Sequence, residues 1–178
     1  MTLYAGTQQA VFYPNVGMPG DQYGLQTSWL PSQGYVAASN VNVASGVFGV
    51  VGTDTVQQSG GSGTIFAGFV LRSQEVTIPY AQTNLGYGFY VPATYQCSVL
   101  PKGSLWVVVA TSYHAGSVIN VGDAVFVSTV DGTVAVGVTS EPDYYQTDFV
   151  VTNTDQSNIN QTNQVVISNV NQFLGQGR

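Results

Sequence analysis

Short runs of β-branched and aromatic residues, each closed by glycine or another turn former, recur along this chain at residues 41–43, 47–51, 65–71, 88–91, 104–111, 124–129 and 133–138. Runs of that kind between turn signals suit strands, and no segment holds the sustained 3.6-residue apolar period of an amphipathic helix. The pattern predicts an all-β fold, a single small β-barrel or sandwich over residues 35–140, with helix scarce. Strand order, which would separate barrel from sandwich, is not written in the spacing. Asp131-Gly132 lies between two of the runs and tolerates the positive φ of a type I′ turn, which predicts a hairpin there. Gln57-Gln-Ser-Gly-Gly-Ser-Gly63 has the composition of a flexible loop and should join two strands at the surface.

The pattern stops at both ends. Pro14, Pro19 and Pro31 fix φ and remove backbone donors at intervals too short for a central strand or a helix, so residues 1–34 read as an extended N-terminal arm. Beyond Pro142, Tyr144-Tyr145 and residues 149–152 suit one more strand. The rest of residues 141–178 is rich in Asn and Gln around the island Val165-Val-Ile167 and reads as a C-terminal arm, with a short helix over residues 165–174 as the alternative.

Charge narrows the function. The 178 residues carry three basic and nine acidic side chains, a net charge of −6. Phosphate binding needs clustered Lys and Arg, so nucleic acid is not an expected partner. No stretch approaches the eighteen or so apolar residues of a membrane span, so no membrane partner is expected either. The start, Met1-Thr-Leu-Tyr-Ala-Gly6, lacks the basic and apolar regions of a secretory signal, so export by the Sec route is not expected. Cys97 stands alone and reads as a small buried hydrophobe. His114 is the sole histidine, no Gly-x-Ser-x-Gly elbow or P-loop is present, and Glu141, Asp143 and Asp148 lack the loop spacing of a calcium site. No catalytic residue, cofactor or metal ligand is therefore assigned, and the chain is not read as an enzyme. A pair of the scattered acids meeting in space to make a hydrolase is the weakest reading.

Aromatic rings in the two arms point elsewhere. Tyr13, Tyr23, Trp29, Tyr144, Tyr145 and Phe173 have little core of their own to enter, and aromatic residues are enriched at protein interfaces, so these six are the candidate contacts with a partner or a second copy. Several strings, in order, then carry a family resemblance: Pro19-Gly20-Asp21, Gly46-Val-Phe48, Gly68-Phe-Val-Leu-Arg72-Ser-Gln74, Val91-Pro92, Gly103-Ser-Leu-Trp106-Val107, Gly122-Asp123-Ala-Val-Phe126 and Asp131-Gly132. Over roughly residues 15–138 the chain resembles the capsid cement, or decoration, proteins of tailed bacteriophages. Ser104 departs from that pattern, where an acid is frequent, and so does the long tail after residue 140. The resemblance implies a β-rich virion protein on the outer surface of the phage head, binding the major capsid protein and stapling neighbouring capsomers, and acting as a homodimer or homotrimer. It carries over no catalytic residue. Asp21, Gly68, Arg72, Trp106 and Asp123 are motif positions whose work can be only to hold the barrel. The alternative reading is a carbohydrate- or receptor-binding module of a tail fibre, which would present its rings on a folded face.

Overall fold

The computed structural model describes residues 19–23, 32–72, 78–82, 86–110, 119–137, 142–153 and 164–170, and among these the only regular element is the strand. The thirteen strands are β1 (Ser32–Ala37), β2 (Val41–Asn42), β3 (Gly46–Val50), β4 (Thr55–Gln57), β5 (Thr64–Val70), β6 (Ile78–Gln82), β7 (Gly86–Val91), β8 (Gln96–Leu100), β9 (Ser104–Val108), β10 (Ala124–Ser128), β11 (Val134–Val136), β12 (Tyr144–Asn153) and β13 (Gln164–Ser168). The fold is all-β, and the choice between barrel and sandwich resolves into both. Strands β1-β4-β3-β5-β8 close a barrel, β11-β10-β12-β13-β9 form a five-stranded sheet beside it, and β2-β7-β6 make a third, smaller sheet.

Two cores follow from the alternation of side chains along each strand. On β3, β5 and β8, Val47, Val70, Cys97 and Val99 point into the barrel and join Ala37, Val41, Val56 and Val91 there. Their neighbours Phe48, Phe69 and Leu100 point out of the barrel wall and pack against Leu105, Val107, Val125, Val127, Phe149, Val151, Val165 and Ile167 of the five-stranded sheet. Consecutive residues thus serve different cores, which is why β3 and β5 read as continuous apolar runs rather than alternating ones. Full burial of each Val, Leu or Phe contributes about 1.5–3 kcal/mol against chain entropy.

Barrel closure turns on Gly68. Val47 pairs with Gly68 and Phe48 with Phe66, so β5 carries one extra residue, a bulge. Gly68 has φ +136°, and a Cβ there would lie 2.3 Å from the Leu100 carbonyl oxygen. Only glycine lets β5 bend this close to the end of β8. The chain then crosses from barrel to sheet in the short turn 101–103, pinned by Asn169, which accepts the Gly103 N–H at 2.8 Å and donates to the Pro101 carbonyl at 3.0 Å.

Several expectations change here. The Asp131-Gly132 hairpin exists, with Val127 opposite Val134, but its connection is not a two-residue type I′ turn. The Ser128 N–H donates to the Thr133 carbonyl at 2.9 Å and the Gly132 N–H to the Ser128 carbonyl at 3.0 Å, which leaves a four-residue loop in which Gly132 alone has positive φ, +73°. The Val165-Val-Ile167 island is neither helix nor arm. It is β13, buried between β12 and β9, because three consecutive β-branched residues suit a strand covered on both faces. At the other end, β1 begins inside the stretch read as the N-terminal arm, and residues 19–23 lie against β9.

Candidate functional site

Three motif positions far apart in sequence meet at one junction. Residues 19–23 run antiparallel to β9, with Gln22 opposite Leu105. The Gly20 N–H donates to the Trp106 carbonyl (2.8 Å), the Trp106 N–H to the Asp21 carbonyl (3.0 Å) and the Tyr23 N–H to the Ser104 carbonyl (2.9 Å). On its other side the same segment takes a bond from the barrel, the Arg72 N–H donating to the Gly20 carbonyl at 3.1 Å. Both Nε and Nη2 of Arg72 reach Asp21 Oδ1 at 2.8 Å, and the guanidinium lies 5.7 Å from the centre of the Phe89 ring. Arg72 thereby touches the end of β5, the small sheet through β7, and the segment on β9. Gly20 fits because it has φ +85° and because a Cβ would sit 2.2 Å from Val43 Cγ1.

The remaining motif residues also sit on backbone seams. Gly68 occupies the β5 bulge. Asp123, ahead of β10, accepts the Asn120 N–H at 2.8 Å through Oδ2, while its own carbonyl accepts the Val151 N–H at 3.0 Å. Trp106 is 2% exposed, on the face of β9 away from the shared core, with the Tyr23 ring edge-on at 5.8 Å.

The candidate contact aromatics fall on different elements. Tyr23 is half-buried on Trp106, Tyr144 is half-buried at the start of β12, and Tyr145 is 45% exposed. Tyr145 stacks on Phe66 at 5.3 Å and meets Phe48 edge-on at 6.1 Å, at the outer end of an aromatic chain that continues through Phe69 to Phe149 in the core. Tyr13, Trp29 and Phe173 lie outside the described residues, as does His114. Sequence reading missed the exposed Val51, Ile65, Tyr95 and Val130. Val51 and Ile65 leave the same end of the β3–β5 pair, since Gly49 faces Ile65 and the Val51 N–H bonds the Gly63 carbonyl. Their only sequence signal is an apolar residue beside a glycine turn.

Among the described residues, Cys97 and Asp131 are displaced from their ordinary values. Burial pushes the Cys97 thiol up to about 12. Partial burial pushes the Asp131 carboxyl up, but hydrogen bonds from Ser128 and from the Thr133 N–H and hydroxyl outweigh it and hold the group below the usual carboxylate range. Among the described residues no three His, Cys, Asp or Glu side chains are grouped to hold a metal ion.

The sequence matches the model of the phage cement family, described as structural cement protein (E217 gp24/Pam3 gp6), over residues 7–171. The chain belongs to this family of structural cement proteins of phages. Comparison with curated proteins finds no match. The five motif positions lie within the matched span; in the structure Gly68 sits at the β5 bulge, Asp123 at the turn into β10, and Asp21, Arg72 and Trp106 at the junction on β9. A family with this structural role places the protein with the capsid of the virion.

Proposed function

We propose that this cement protein binds the outer surface of the phage head, where it staples adjacent major capsid protein subunits against the pressure of packaged DNA. The observation that carries the reading is the family match over nearly the whole chain. Other features support it. A bridging protein must present contact surface without large desolvation penalties, and this one has three cations in 178 residues with Tyr145, Tyr95, Ile65 and Val130 exposed. Its net charge of −6 disfavours adhesion to DNA during assembly. The terminal segments, with Tyr13, Trp29 and Phe173, act as arms that reach neighbouring subunits, and Tyr23, Tyr144 and Tyr145 add contacts at their bases. The protein works as a homodimer or homotrimer, closed symmetry being the common solution for identical subunits on a symmetric shell. It is made in the host cytoplasm and acts without catalysis, cofactor, nucleic acid or membrane.

Co-sedimentation of the purified protein with mature shells that lack it tests this reading. Saturable binding is expected. Binding to a glycan array with none to shells would replace it with the tail-fibre module.

A further inference from the structure

We propose that residues 19–23 form a latch that opens as one unit, separately from the sheets it joins, and that the Asp21–Arg72 pair is its lock. The segment is tied to two bodies at once: three backbone bonds go to β9 and one to the chain leaving β5. Pro19, Asp21, Gln22 and Tyr23 all keep some exposure, so the segment buries little apolar surface of its own, and those bonds, the ion pair and the Tyr23–Trp106 contact contribute to its hold. Segments held by few buried apolar contacts open locally at a free energy well below that of the whole protein. The ion pair adds two charge-assisted nitrogen contacts at 2.8 Å to that hold, and its side chains, 24% and 31% exposed, meet water when the pair parts.

Closed, the latch ties β9 to the chain leaving β5 and, through Arg72 and Phe89, to the small sheet. Open, it uncovers the Ser104–Trp106 edge of β9, whose backbone groups it satisfies. The proposal leans on the capsid reading only for what the uncovered edge would hold. The latch itself is a property of the free protein, and its failure would leave shell binding standing.

Amide hydrogen exchange on the free, full-length protein tests it. The amides of Gly20, Tyr23, Arg72 and Trp106 each donate across the latch, and those of Leu71 and Ser128 donate to Ser98 and Thr133 outside it. The four latch amides should share one opening equilibrium, faster than the two controls. Arg72→Gln should speed all four by about tenfold and leave Leu71 and Ser128 unchanged. Asp21→Asn, which leaves Arg72 in place, should do the same, and Arg72→Lys should restore part of the protection. Four unrelated rates in the unaltered protein, or variants that speed the controls as much as the latch, would overturn the proposal.

Discussion

Gly68 shows how a single residue decides the shape of the barrel. A Cβ at this position meets backbone, not a movable side chain, and the +136° φ disfavours any L side chain as well. Gly68→Ala should therefore cost about 3 kcal/mol in urea unfolding, more than an ordinary surface change; a loss within about 0.5 kcal/mol would contradict the closing role assigned to the bulge. Cys97 makes a different demand on the same barrel. With its thiol raised to about 12, the reactive thiolate is nearly absent in the folded state at pH 8. The raised value means that the protein gains stability from the neutral thiol below about pH 8.5 and loses it as pH climbs toward the folded value. Alkylation at pH 8 should be slow and limited by barrel opening, and fast labelling of the native protein would place Cys97 outside the core.

At the scale of elements, the hairpin β10–β11 joins the two halves of the molecule through its loop. The Gly46 N–H donates to the Gly132 carbonyl at 2.9 Å, the Gly60 N–H to the Thr129 carbonyl at 2.8 Å, and Gln58 to the Asp131 carbonyl at 2.8 Å. The loop is shaped by Asp131 Oδ1, which accepts the Thr133 N–H and hydroxyl. Because the folded carboxyl sits below its unfolded value, its contribution is fully present above about pH 4 and is lost as pH falls through the lowered value. Thermal unfolding should separate the wild type from Asp131→Asn at neutral pH and bring the two together near pH 2; an equal separation at both would remove the charge from the account. The hairpin was legible because Asp-Gly sits between two β-branched runs. Its loop length was not, since pairing at Ser128 and Thr133 is fixed by docking against β3 and the β4–β5 loop. Strands β3 and β5 were legible because two cores bury their consecutive residues, and β9 and β10 because both of their faces are buried. Strands β1 and β4 were not, because among their described side chains only Ala37 and Val56 are buried, and β13 was hidden by the polar residues around it. The junction was half legible. Asp21, Arg72 and Trp106 stood out as motif positions, but Asp21 and Arg72 are 51 residues apart, and nothing in the spacing says that they touch.

The whole molecule is organised around β9. Among the described residues Ser104 takes backbone bonding from Tyr23 on one side and pairs with Ser168 on the other, so both ends of the folded body flank one strand. Among the described residues the barrel is closed, β9 is covered by residues 19–23 near Leu105 and meets β11 at Val109 and Val134, and the outer strand β6 of the small sheet carries Pro79, which lacks an N–H. Cutting the chain after residue 34 would remove the latch and part of β1, so the arm is better tested by deleting residues 1–18. That protein should keep the thermal transition of the full chain and lose most of its shell binding, and undiminished binding would assign attachment to the body. The central claim is reinforcement, and its most direct measurement is the temperature at which shells packed with DNA release their genome, with and without the protein. The account predicts that saturating protein raises the release temperature and that the gain follows occupancy. Full occupancy with an unchanged release temperature would contradict it.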